Sequence, residues 1–290
     1  MELHPLRVFL TVAEERSFSR AAEKLLRTQP AISLSIQRLE SELGEKLIDR
    51  SAKELLLTDA GRIAVEYARR YENLQDDLEN ALAELRDKSA GRLTIGANES
   101  STLYLLDHTE RYRKRYPRIK VQIRRSLSSR IPMELIDGDL ELGILSFDPE
   151  DERVVTRVIY TDHLAFIVSP EHRLAKREEI SIAELGEETF IAHNVVSPYR
   201  ALVIREFQRA KVPLRMDIEA PTVEAIRKMV QRNLGVAFLP RMVIEEEAGA
   251  GMVCEVRVKE MNVDRPIRLA WPARRAVSHA AQAFLELVGA

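Results

Sequence analysis

The chain has 290 residues, with 44 Lys and Arg against 46 Asp and Glu, a net charge of −2. That length suffices for two or more domains and a sizeable core, and the near balance of charge points to no particular partner. The single cysteine, Cys254, excludes an internal disulfide framework and a thiolate zinc cage.

In chain order, MELHPLRVFLTVAEERSF has no basic segment followed by an apolar one, so no secretory signal is expected. No apolar run of about 18 residues occurs, so no membrane contact is expected, and the reading is a cytoplasmic protein. Leu6, Phe9, Leu10 and Ala13 follow helical spacing. A second helix follows in SFSRAAEKLL, with Ser17 or Ser19 as N-cap and small Ala21 and Ala22 for close packing. LRT is a tight turn into a third helix, capped by Thr28, with Pro30 in its first turn, where a missing N–H costs little. Ile32, Ile36, Leu39 and Leu43 form its apolar stripe, and Gly44 ends it. KLIDR and ELLL flank SAK as a two-stranded hairpin. From TDAG to about Lys88, residues Ile63, Tyr67, Tyr71, Leu74, Leu78, Leu82 and Leu85 keep near-heptad spacing. A helix that long with one apolar stripe needs a partner. After Gly91, strand-like runs (RLTIGA, KVQIRR, LELGIL, HLAFIVS, ETFIAH, GVAFLP, IRLAWP) alternate with helical ones, which implies an α/β sheet.

Three helices, a tight turn between the second and third, and then a hairpin make a winged helix-turn-helix. The outer face of the third helix shows Gln29, Ser33, Leu34 and Gln37, where surface helices normally carry Lys and Glu. Such a face suits base edges in a major groove: Gln pairs with adenine, Ser donates or accepts, and an apolar group touches a thymine methyl. Thr28 and Pro30 sit at the amide-rich start, which also favours phosphate. Arg50, Ser51 and Lys53 on the wing are the expected backbone contacts. The plainer reading is a surface helix with polar filler, and the low charge of this zone counts against DNA, because phosphate neutralisation supplies much of the affinity.

LRVFLTVAEERSFSRAAEKLLRTQPAISLSIQRLESELGEKLIDRSAKELLLTDAG resembles, without gaps, the N-terminal domain of LysR-type transcriptional regulators. Phe9, Ala13, Phe18, Ala21, Ala22, Gln29, Pro30, Leu39, Glu40, Gly44, Arg50, Thr58 and Gly61 carry the match. GRLTIGA, YPRIKVQI, DGDLELGIL and LGVAFLP are similar to that family's effector domain. Departures are Ile48 in place of the usual Phe, Glu141 for Asp, Asn233 where Gly is common, no proline at Leu106-Asp107, and a less basic wing.

The resemblance implies an α/β fold with an N-terminal all-α winged helix-turn-helix, a long linker helix, and a bilobal effector domain like periplasmic binding proteins. The implied division is 1–58 for DNA binding, 59–90 for dimerisation and 91–290 for the effector. Lobe one would be 92–160 and 267–290, and lobe two 161–266. It further implies a homodimer or homotetramer reading an interrupted palindrome in double-stranded DNA, and a small-molecule effector.

In open α/β sheets, ligands sit beyond the carboxyl ends of strands. RLTIGA runs into Asn98, Ser100 and Ser101, and VQIRR into Ser128, each before a helix. Two serine-rich turns at helix starts suit an anion, and the resemblance places its ligand contacts at the same two loops. The other reading is that these serines only cap helices. Asn194 and Thr222 are the expected contributors from lobe two, and His193 ends a strand facing either the cleft or a plain loop. The six histidines show no metal-binding spacing. No nucleophile elbow, phosphate loop or dinucleotide fingerprint occurs, so neither metal, cofactor nor enzymatic activity is expected. A bilobal enzyme or solute-binding protein is the rival reading. It lacks a catalytic constellation and an export signal, and it leaves the N-terminal match unexplained.

Overall fold

The computed structural model describes residues 3–49, 55–86, 90–195 and 197–289. The chain forms two compact units, divided after the first long helix.

In the first unit, α1 (Leu3–Glu15) buries Leu6, Phe9 and Leu10. Ser17 accepts from the Arg20 N–H and starts α2 (Phe18–Lys24), which buries Ala21 and Ala22. Their small side chains allow α1, α2 and α3 to share one core. At the turn, Leu26 adopts φ 53 and is 93% exposed, while the Arg27 N–H donates to the Ala22 carbonyl at 2.9 Å. Thr28 caps α3 (Gln29–Leu43) by accepting from the Ala31 N–H, and Gly44 ends it in the left-handed region at φ 72. The buried stripe is shorter than its spacing predicts. Ile32, Ile36 and Leu39 are buried, but Leu43 is 41% exposed, because the helix outruns the core by a turn.

β1 (Ile48–Asp49) and β2 (Leu56–Leu57) pair antiparallel. The Thr58 N–H donates to the Leu47 carbonyl, and its hydroxyl oxygen accepts from the Gly61 N–H at 2.9 Å. A Cβ at Gly61 would lie 2.0 Å from the Leu47 oxygen, so only glycine lets the next helix start this close to the hairpin. That helix, α4 (Asp59–Arg86), carries two apolar stripes. Ala60, Ala64, Val65 and Ala68 pack on the core, whereas Ile63, Tyr67, Leu74, Leu78, Leu82 and Leu85 are between 46% and 82% exposed.

The second unit opens with β3 (Gly91–Ala97), α5 (Glu99–Arg115), β4 (Ile119–Arg125), α6 (Ile131–Asp137) and β5 (Leu142–Leu145). β3 lies between β4 and β5, parallel to both. The chain then enters β6 (Val154–Val168) and continues through β7 (Glu179–Ile180), β8 (Thr189–His193), α7 (Pro198–Ala210), β9 (Arg215–Ala220), α8 (Val223–Gln231), β10 (Ala237–Pro240), α9 (Glu245–Gly249) and β11 (Cys254–Val258). It closes with β12 (Asp264–Pro272) and α10 (His279–Val288).

β6 and β12 organise this unit. They pair antiparallel from His163 opposite Asp264 to Val154 opposite Pro272, and β12 also pairs with β5. Beyond that point β6 pairs with β10 and β11 instead. One core therefore gathers around Leu93, Ile95, Leu142, Ile267, Leu269 and Phe284. Others gather around Phe166, Phe190 and Phe207, around Ile167, Ile226 and Val230, and around Ile131, Leu135 and Ala270. Two lobes result, linked through β6 and β12. Between α8 and β10, Asn233 adopts φ 57, a conformation glycine takes more easily.

Of the runs read as strands, HLAFIVS corresponds only to the second half of β6. The first half, VVTRVIYT, is largely exposed and was not read as a strand. β7, β9 and α10 were not singled out either. β9 alternates exposed polar with half-buried apolar residues and takes its order from its parallel neighbour β8.

Candidate functional site

Two surfaces hold residues singled out in the sequence. The first is the outer face of α3, where Thr28, Gln29, Pro30, Leu34 and Gln37 are exposed and Ser33 is half-buried. Leu34 keeps 48% of its surface, a large apolar group with no contact requirement inside the domain. Arg50, Ser51 and Lys53 lie outside the described residues.

Beneath that helix is a group that periodicity does not reveal. Glu40 is 2% exposed, and its carboxylate accepts from the Leu47 N–H (2.9 Å), the Ile48 N–H (3.3 Å) and Lys46 Nζ (3.2 Å). It ties the end of α3 to the first hairpin strand. Burial pushes its pKa up, but the hydrogen bonds from Leu47, Lys46 and Ile48 outweigh this and hold it below the ordinary carboxylate value. A depressed folded pKa contributes stability that is present above the unfolded value of about 4.3 and is lost as pH falls through the folded value. Glu40→Gln is therefore expected to cost about 1–3 kcal/mol at pH 7, since it weakens acceptors to buried N–H groups. Urea titrations should show this gap closing under acid. A gap that stays constant down to the acid limit would assign the loss to packing instead.

The second surface is a cavity of about 650 Å³ between the lobes. Lobe one contributes Asn98, Glu99 and Ser100 after β3, residues 125–129 after β4, and Ser146 and Phe147 after β5. Lobe two contributes the end of β8 through His193, the start of α7 with Tyr199 and Arg200, and Val223 at the start of α8. Both serine-bearing turns meet here. Asn98 accepts from the Ser101 N–H and donates to the Ser128 hydroxyl oxygen, each at 2.8 Å. The Ser128 proton is thereby left to donate into the cavity.

The remaining expected residues fall elsewhere. Ser101 is fully buried and absent from the cavity wall, as are Asn194, which is exposed, and Thr222, whose side chain caps α8 by accepting from the Ala225 N–H. From lobe two, the wall instead presents His193, Tyr199 and Arg200, of which only His193 was anticipated.

Among the described residues, three polar contacts join the lobes across the cavity. Glu99 accepts from the Val223 N–H (3.0 Å), Tyr199 donates to the Ser146 carbonyl (2.6 Å), and His193 Nε2 lies 3.7 Å from Glu99. His193 Nδ1 accepts from the Val195 N–H, which leaves the ring hydrogen on Nε2, toward Glu99. The wall carries Arg125, Arg200 and Arg265 against the single carboxylate of Glu99. Their N–H groups suit an anionic oxygen, although Arg200 and Arg265 already pair with Glu219 and Asp162 behind the wall. Among the described residues, no cluster of ligating side chains suits a metal ion.

A winged helix-turn-helix followed by a long helix and a two-lobed cavity domain is the architecture of a ligand-responsive regulator of transcription. The chain belongs to the LysR family: residues 3–62 match the bacterial regulatory helix-turn-helix protein, lysR family, and residues 86–290 match the LysR substrate binding domain. A probable RuBisCO transcriptional regulator of Cyanophora paradoxa is 31% identical over 98% of this chain and 90% of its own length. Its counterpart in Synechocystis sp. is 29% identical over 99% and 85%. Among solved structures, CbnR, a LysR family transcriptional regulator, superposes with a TM-score of 0.77 at 20% identity, covering 100% of this chain and 98% of that one. The Synechocystis CcmR regulatory domain in complex with 2-PG gives 0.62 at 23% identity, covering 68% and 95%.

Proposed function

We propose that this regulator binds double-stranded DNA through α3 and pairs with a second copy through the free stripe of α4. A small anionic effector, held between the lobes, then switches it. The observation that carries the effector reading is the wall itself, with three arginines, one carboxylate, and two serine-bearing turns joined by the Asn98–Ser128 hydrogen bond. Two relatives in structure point the same way, since CbnR has been solved with its target DNA and the CcmR regulatory domain with 2-PG. Asn98, Ser100 and Ser128 are the effector contacts. Of the other residues read as contacts, Thr222 acts behind the wall by capping α8, while Ser101 and Asn194 stay outside it. The working division is a DNA-binding unit over 1–58, the pairing helix over 59–90 and the effector unit over 91–290. Within the last, lobe one is 92–160 with 267–290 and lobe two is 161–266.

Binding biases the angle between lobes, and this needs only unequal affinity for two arrangements already present. The protein performs no enzymatic step. It works in the cytoplasm, on DNA, as a homodimer or homotetramer.

A thermal-shift screen of small acids tests the site. A ligand at about a hundred times its Kd adds about 2.7 kcal/mol of stability. With the effector found, the Ser100→Ala, Ser128→Ala variant is expected to bind it about tenfold more weakly by calorimetry, the loss of roughly one to two hydrogen bonds. Equal affinity in both proteins would remove the serines from the site. A gel shift on DNA upstream of the protein's own gene tests the regulator reading separately.

A further inference from the structure

Arg265 is 3% exposed yet lines the cavity, and it stands directly opposite Asp162 in the β6–β12 ladder, where the strands pass between the lobes. The two charges form a buried pair, with Arg265 Nη1 3.2 Å from Asp162 Oδ2. The match is uneven. Asp162 also accepts from the Met242 N–H at 3.1 Å, whereas Arg265 Nε is buried with no hydrogen-bond partner among the described residues. The Tyr199 ring lies under the guanidinium at 5.3 Å, and the Tyr199 hydroxyl is already committed to Ser146. A buried N–H without an acceptor is costly, and a charged one more so.

The other arginines of the wall are differently placed. Arg200 donates to the His193 carbonyl and pairs with Glu219, and Arg125 is exposed to water, which screens it. Arg265 is the cation that is both dry and incompletely paired.

We propose that Arg265 is the specificity-determining residue of the cavity: an anionic oxygen of the effector docks on its Nε edge, at the hinge between the lobes. This rests on the reading of the cavity as an effector site. A carboxylate or phosphate oxygen supplies the missing acceptor through a charge-assisted hydrogen bond, and a neutral analogue does so less well. Arg265 and Asp162 sit on the two linking strands, and an anion on the Nε edge shares with Asp162 a guanidinium that Asp162 holds at Nη1. Binding and lobe geometry are thereby coupled through one side chain.

The test uses the full-length protein with inorganic phosphate, acetate and succinate as probes, and acetamide and succinamide as uncharged matches. At least one acid should raise the melting temperature of the wild type more than its amide does. Arg265→Gln strands a buried carboxylate and could unfold the lobe junction. The charge-neutral double variant Asp162→Asn, Arg265→Gln avoids this and is expected to lose the acid-dependent shift. Asp162→Asn alone frees the guanidinium and should tighten acid binding about tenfold by calorimetry. A purely structural pair predicts the opposite pattern, with lowered melting temperatures and unchanged acid affinity. An acid shift that survives in the double variant overturns the role of Arg265 while leaving the anion site standing. Acids that never outperform their amides in the wild type overturn the site and this inference together.

Discussion

A Leu78→Glu, Leu82→Glu variant is expected to sediment as a monomer with its helix content intact. Both leucines lie on the outward stripe of α4, at 59% and 46% exposure. Ala60, Ala64 and Ala68, on the other face, already hold the helix to its own core. An apolar stripe of near-heptad spacing is covered by a second helix, and an unpaired carboxylate placed in such a seam costs several kcal/mol. In a free monomer the same glutamates face solvent and cost little. A dimer grips two half-sites at once, so the monomer is expected to bind operator DNA about a thousandfold more weakly, close to non-specific affinity. Analytical ultracentrifugation and gel shift decide the matter together. An intact dimer with native helicity would move the interface elsewhere.

Gln29→Ala and Ser33→Ala are expected to weaken operator binding by about 1–3 kcal/mol each while leaving thermal stability near that of the wild type. Gln29 is exposed and Ser33 half-buried on the first turns of α3, and neither side chain is needed by the core. The loss should be specific to sequence. Binding to unrelated DNA and the slope against salt should change little, as expected of residues proposed to touch bases rather than phosphates. Wild-type operator affinity in the Gln29 variant would mean another element reads the groove. A melting temperature that falls with affinity would mark these positions as structural.

Much of the first unit could be read directly from the chain. Ser17 and Thr28 cap the helices as expected, Gly44 ends α3, and Ile32, Ile36 and Leu39 turn inward. These features are local, since a cap needs a partner three residues away and a buried stripe needs only a repeat of three or four. The second stripe of α4 was visible for the same reason. Exposed Leu43 marks the limit of such reasoning. Periodicity gives the direction a side chain faces but not where the neighbouring core stops.

The effector unit divides along the same line. Asn98, Ser100 and Ser128 could be placed near one another because both turns follow parallel strands, whose carboxyl ends share an edge of the sheet, but Ser101, read with them, is buried away from the cavity. The contributions of lobe two were not legible: Tyr199 and Arg200 reach the wall, while Asn194 and Thr222 do not. No periodicity within a loop says which side chain a fold will turn toward a distant lobe.

Helix caps in the first unit, the outward stripe of α4, the alternation of strands and helices, and the family are legible in the chain. Each is written in neighbours along the chain. Tertiary structure alone decided that Glu40 is buried beneath the hairpin, that Glu99 meets His193, and that Asp162 pairs with Arg265 across 103 residues. A charged residue in isolation is most stable in water. For Asp162 and Arg265, the register of strands far apart in sequence supplies the partner that makes burial tolerable.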